Sequence, residues 1–161
     1  MQPLTPASAQ LSAKAVRSIK CTVERDGLDR ETGGALFGFD DEAHIVVSEA
    51  GDPGPQAVRG RRFFMRDLAY TRTLAAEVYA STGAQWLGEW HLHPEGLNEP
   101  SLVDLRTYIG HLRDPELRFV RFLSAIVTWS ARSPEVDISL WVLERQHQAF
   151  ALSRLDWNVD E

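Results

Sequence analysis

His91 and His93 stand two residues apart in the run Trp86-Leu-Gly-Glu-Trp-His-Leu-His93. On a strand, that spacing puts both imidazoles on one face. Two neutral imidazoles converging on one point suit Zn²⁺. Pro94 ends the strand and turns the chain. Ser101 and Asp104 follow. Their spacing of three makes them neighbours on a helix surface, so Asp104 can turn its carboxylate back toward the histidines. A His₂Asp set leaves a fourth tetrahedral position for water, which marks a catalytic zinc rather than a structural one. The attacking water needs a base. Glu31 is the candidate, at the mouth of a Gly-rich run in which Gly33 and Gly34 let the backbone pass close to the metal site. Its carboxylate can take the water's proton and pass it to a leaving amine. Ser101 would donate a hydrogen bond to the oxyanion, a contact worth about 3–4 kcal/mol.

Taken singly, each of these residues has an ordinary role. Ser101-x-x-Asp104 is also a capping box, with Ser at the N-cap and an acid at N3. Strand histidines are commonly solvated, and Glu31 alone is a turn carboxylate. The weight lies in their joint occurrence, order and spacing. A zinc deaminase would need His-x-Glu and a Pro-Cys-x-x-Cys pair. Position 93 is His and the chain has one cysteine, so that chemistry is excluded. His-Glu-x-x-His is absent, which excludes a zincin. Glu89 shares the strand face of His91 and His93; it can orient a ligand imidazole or form a cross-strand ion pair. Arg59, Arg61, Arg62 and Arg66 form either a solvated strand edge or a patch that steers an acidic partner. His44, His111 and His147 read as solvated or core histidines, and Cys21 as a small buried residue. The aromatics Phe37, Phe39, Phe63, Phe64, Trp86, Trp90, Trp129 and Trp141 lie on strand-like runs and read mostly as core.

The elements that must position these groups follow from patterning. Leu11, Ala15, Val16 and Ile19 fall at helical spacing and predict a first helix over 11–21. Two strand-like runs, 31–39 and 43–48, flank the acidic turn Asp40-Asp-Glu42 and predict a hairpin. Asp67 as N-cap and Gly83 past the end bracket a second helix. A third helix over 101–112 and strands over 86–93, 119–129, 136–143 and 147–152 complete the order. That order argues for an α/β or α+β sandwich with one mixed sheet. The chain has 161 residues, 43% apolar and 25% charged, which suits one packed domain. Its net charge of −6 disfavours non-specific nucleic-acid binding. A single cysteine excludes a disulfide framework. No apolar run approaches the ~20 residues of a membrane span, and the N-terminus lacks a signal-peptide pattern. These features predict a cytoplasmic domain over 10–155, between flexible tails at 1–9 and 156–161.

Glu31, then His91-x-His93-Pro94, then seven residues, then Ser101-x-x-Asp104, resembles the JAMM signature of the JAB/MPN metallopeptidase family. The run Glu31-Thr-Gly-Gly-x-Leu-x-Gly38 resembles the strand that carries that family's catalytic glutamate. The resemblance covers about residues 10–145. It implies a curved mixed β-sheet flanked by helices, one zinc per chain held by His91, His93 and Asp104, Glu31 as general acid/base and Ser101 as oxyanion donor. The Gly88-Glu-Trp-His-x-His-Pro94 wording is similar to short bacterial members encoded beside ubiquitin-like conjugation enzymes, including those of anti-phage CBASS and Bil operons. It therefore implies an isopeptidase that cleaves the amide after the C-terminal Gly of a ubiquitin-like protein, whose extended tail would add as a strand beside the sheet. E1/E2-like enzymes are the implied associates, and the short 94–100 loop implies little chain-linkage selectivity. Two alternatives stand beside this reading: a zinc amidohydrolase of a sulfur-carrier or small-peptide pathway, and a non-catalytic MPN binding module.

Overall fold

The computed structural model of the chain describes residues 6, 8–129 and 135–160. Ten strands and three helices are assigned among them: β1 (Ser8–Ser12), α1 (Ala13–Asp26), β2 (Gly33–Asp40), β3 (His44–Ala50), β4 (Val58–Arg59), β5 (Phe64–Met65), α2 (Leu68–Thr82), β6 (Gln85–Leu92), α3 (Leu102–Arg113), β7 (Arg121–Trp129), β8 (Val136–Gln146), β9 (Ala149–Leu155) and β10 (Trp157–Asp160). Eight strands form one mixed sheet in the order β10-β1-β3-β2-β6-β7-β8-β9, and β4 and β5 form a separate two-stranded hairpin. The two edge strands, β9 and β10, are separated only by Asp156. The sheet therefore curls until its edges meet through one residue of chain, and Trp157 Nε1 donates to Ile138 O on β8 at 3.0 Å to hold that closure. The architecture is a single-domain α+β fold around a curled mixed sheet, as expected.

Helix α1 fills the concave side. Ser12 caps it by accepting from the Ala15 N–H at 3.0 Å, and Gly27, at φ 85°, closes it. Ala15, Ile19 and Val23 recur every four residues and pack against Leu36, Ile45, Trp90, Leu123 and Leu140 from five strands. Each large apolar side chain buried there contributes on the order of 1.5–3 kcal/mol. Cys21 lies two residues beyond Ile19, about 200° around the helix, and is exposed rather than buried. Helices α2 and α3 cover the other face, where Val78 meets Ala35 and Phe37, and Tyr108 and Leu112 meet Phe122 and Leu143.

The first helix starts later than expected. Leu11 belongs to β1, whose alternating burial turns Ala9 and Leu11 inward between β3 and β10. Ser8 and Ala9 are thus strand residues and not tail; the other residues of that expected tail, Pro6 apart, lie outside the described residues. The expected C-terminal tail likewise supplies β10, which pairs in parallel with β1. Parallel partners distant in sequence leave no local turn signal, which is why both strands read as tails. Three of the expected core aromatics, Phe39, Phe63 and Trp129, are exposed. No helix among the described residues is long and apolar enough to cross a membrane.

Candidate metal centre

Along β6, alternation sends Trp90 and Leu92 into the α1 core. Glu89, His91 and His93 then face the α2/α3 side. His93 lies one residue past β6, yet its N–H still donates to Val127 O at 2.9 Å, so it keeps the strand alternation. At the other side of the site, Ser101 is the N-cap of α3 and accepts from the Asp104 N–H at 3.1 Å. Asp104 Oδ2 accepts in return from the Ser101 N–H at 2.7 Å. The capping box is formed, and the same Oδ2 points at both imidazoles: 3.3 Å from His91 Nε2 and 3.2 Å from His93 Nε2. One carboxylate oxygen closes the capping box and faces both imidazoles.

The two Nε2 atoms lie 2.7 Å apart. Zinc bonds of about 2.0–2.1 Å in a tetrahedron put ligand atoms roughly 3.3–3.4 Å from one another. The His–Asp separations already match that figure, and the His–His pair, at 2.7 Å, needs to open by only about 0.6–0.7 Å. His93 Nδ1 faces Leu97 O at 2.8 Å. A carbonyl only accepts, so that nitrogen carries the proton and Nε2 keeps its lone pair for a metal. The donor set therefore fits zinc. His91, His93 and Asp104 are the one such group of ligating side chains among the described residues. Burial opposes ionisation of Asp104, but the facing imidazoles of His91 and His93, with the Ser101 N–H donating to Oδ2, outweigh it and hold the carboxyl well below the usual carboxylate range.

Glu31 precedes β2 and is buried. Its N–H donates to Gly60 O at 2.7 Å, in the turn of the β4–β5 hairpin. Next to it, Thr32 Oγ1 donates to Asp26 Oδ2 at 2.7 Å, tying the start of β2 to the end of α1. Burial raises the Glu31 pKa, and His91 and His93 pull it partly back. A carboxyl raised in this way is suited to hold a proton and give it up again. Glu31, His93 and Ser101 line one cleft of about 160 Å³, together with Arg61, Arg62 and Glu95 from the hairpin and the 94–100 loop. Every residue singled out by spacing thus meets at one place. In the oxyanion-donor role that the family resemblance implies, Ser101→Ala is expected to lower kcat by about 10²-fold or more. The lost cap costs about 1 kcal/mol, read as a small fall in Tm beside the kinetic loss.

The glycines act where the argument from sequence put them. A Cβ at Gly33 would collide with the Trp90 carbonyl and lie 2.8 Å from His91 Cβ. Gly33→Ala is therefore expected to lower thermal stability and weaken zinc binding together, since β6 must shift to admit the methyl group; a calorimetric scan and a chelator competition check it.

Two expectations change. The basic stretch is not one steering patch. Arg59 pairs with Asp26 at 3.4 Å, Arg62 with Glu95 at 3.1 Å, and Arg66 is buried against Glu89. Arg61 alone of the four is exposed with no ion pair among the described residues. Nor can a tail add to the main sheet at the site, because β6 is enclosed by β2 and β7. The free edge beside the cleft belongs to the β4–β5 hairpin. Glu89 sits as expected on the ligand face, with Oε1 3.5 Å from His91 Nδ1. The burial of Arg66 left no signal in a run of four arginines. His44 and His147 are exposed, whereas His111 stacks on Phe122, where burial and the nearby Arg66 push it down to about 4.

Comparison with known proteins agrees with this geometry. Residues 13–144 match the family described as prokaryotic homologs of the JAB domain. A protein of Escherichia coli (strain TW11681) named CD-NTase/cGAS isopeptidase is 30% identical over 110 residues, 67% of this chain and 70% of its own length. Proteins of the same name from Enterobacter hormaechei subsp. hoffmannii (strain UCI 50) and Vibrio cholerae (strain El Tor Inaba N16961) are 37% and 32% identical. Those two matches cover 48% and 50% of this chain, and 43% and 53% of the relatives' own lengths. The solution structure of a Desulfitobacterium hafniense protein superposes with a TM-score of 0.68 over 95% of this chain and 93% of its own, at 17% identity, a likeness of fold alone. With the match spanning most of the sequence, the chain belongs to the prokaryotic JAB-domain family.

Proposed function

We propose that this chain is a zinc-dependent isopeptidase. It would hydrolyse the amide that follows the C-terminal residue of a ubiquitin-like protein, or of a protein conjugated in the same way, within an anti-phage conjugation system. The observation that carries the reading is the convergence of His91 Nε2, His93 Nε2 and Asp104 Oδ2 on one point beside a buried Glu31. The names of the similar proteins support the isopeptidase reading, and they make a CD-NTase the first partner to test on one side of the bond.

Zinc held by His91, His93 and Asp104 would supply Lewis acidity to the scissile carbonyl and acidify water. The remaining work falls to side chains. Glu31 takes a proton from the attacking water on its carboxylate and returns it to the leaving amine. Ser101 Oγ accepts from the Asp104 N–H and keeps its own hydroxyl proton to donate to the carbonyl oxygen as charge develops there. The substrate's extended tail pairs with a free edge of the β4–β5 hairpin, whose turn is bonded to Glu31 through Gly60. The 94–100 loop lines the same cleft and is fixed by Trp141 Nε1 donating to Asn98 O at 2.9 Å.

Intact-mass analysis tests the proposal. Zinc-loaded protein is incubated with ubiquitin-like fusions and with a CD-NTase joined to a second protein through its C-terminus. Cleavage at the junction by wild type and not by Glu31→Gln is the expected result. Full zinc occupancy with no cleavage of any of these amides would refute the substrate class.

A further inference from the structure

We infer that Arg66 and Glu89 form a buried charge pair that positions His91 for metal binding. The inference rests on reading His91, His93 and Asp104 as a metal site. Arg66 lies just before the Asp67 cap of α2, and Glu89 lies on β6. Their side chains are in contact and each is only 7% exposed. The Arg66 guanidinium also lies over the Trp86 ring, 5.6 Å from its centroid.

Stability alone does not account for this pair. Taking two charges out of water costs several kcal/mol per ion as a rough figure, and replacement by matched apolar side chains is often neutral or stabilising. The pair has a third member that does account for it. Glu89 Oε1 faces His91 Nδ1 at 3.5 Å, an ion-pair distance. No hydrogen-bond partner meets that Nδ1 among the described residues. His93 has its Nδ1 fixed by the Leu97 carbonyl. His91 has no such carbonyl, and Glu89 is the acceptor that faces it. A ligand imidazole needs its second nitrogen held by an acceptor, because that bond sets the tautomer and the ring orientation. Arg66 neutralises the Glu89 carboxylate and holds it on the His91 side. Arg66 Nη1, like His91 Nδ1, is buried without a partner. Local polar conflict of this kind is concentrated at functional sites. Arg66 and Glu89 are therefore positioning residues, not ligands.

The test uses the full chain and the variant R66M/E89M, which removes both charges and leaves flexible, unbranched apolar side chains in their place. Three quantities are read: zinc affinity by competition with a chromophoric chelator, Tm of the zinc-free protein, and the His91 tautomer in the zinc-free protein by long-range ¹⁵N–¹H NMR. The expected result is a Tm at or above wild type, with zinc affinity lowered about 10–100-fold. His91 should hold its proton on Nδ1 in wild type and become a tautomer mixture in the variant. A purely structural pair would move Tm and leave the other two unchanged. Folded R66M/E89M that binds zinc within about twofold of wild type overturns the inference, the 10-fold floor for such partners being the comparison. Should that variant not fold, the wild-type tautomer decides alone: a His91 proton found on Nε2 in the zinc-free protein overturns the inference. Wild type that binds no zinc would overturn the metal reading itself, a failure separable from this one.

Discussion

Replacing Glu31 by Gln lowers kcat by about 10²–10⁴-fold while zinc stays bound at one per chain. The magnitude is that of a positioned general acid/base. The amide of Gln has the shape of the carboxyl group but cannot accept a proton from water. Stability should move the other way. Burial raises the Glu31 pKa, so the folded chain binds that proton more tightly than the unfolded chain does. A raised carboxyl pKa contributes stability below its unfolded value, and that contribution is lost as pH rises through the folded pKa. At neutral pH wild type therefore carries a penalty that Gln does not, and zinc-free Glu31→Gln melts at or above the wild-type temperature. Stopped kinetics with an unchanged or higher Tm would separate a lost proton carrier from a damaged fold. A variant turning over within a few-fold of wild type would remove Glu31 from the mechanism.

Asp104→Ala removes zinc and activity together. Two histidines alone do not make a three-ligand site, so the loss of affinity should exceed the ~10–100-fold typical of outer partners. The substitution also breaks the capping box, since the Ser101 N–H loses its acceptor, at about 1 kcal/mol. Asp104→Asn separates the two roles. Its amide oxygen can still accept from the Ser101 N–H, so Tm falls less, yet the neutral oxygen is a poor partner for zinc. Metal analysis and thermal melts of both variants check the division. Full zinc occupancy in Asp104→Ala would exclude Asp104 from the ligand set.

The site was legible because most of it is local. Strand alternation alone places His91 and His93 together, and helical spacing alone places Asp104 over its own cap at Ser101. Glu31 stands 60 residues before His91 and has no local tie to it. Its place was read from the order of the whole pattern, and the Glu31 N–H to Gly60 bond that seats it appears only in the fold. Strands β1 and β10 escape a local reading for one reason. They pair in parallel across almost the whole chain, and their short polar sequences carry no turn beside them. Arg66 looks like its neighbours Arg61 and Arg62 until Glu89 is brought against it. The residue type of Cys21 suggests burial, whereas its helical angle from Ile19 turns it outward.

Zinc titration into chelator-stripped protein, with amide cleavage read at each point, shows whether the His91, His93 and Asp104 site drives the hydrolysis. No cleavage is expected without metal, then a linear rise with added zinc and a plateau at one zinc per chain, which Glu31→Gln reaches in binding but not in turnover. Cleavage by the stripped protein at the loaded rate, or a plateau in binding well short of one zinc per chain, would contradict that role.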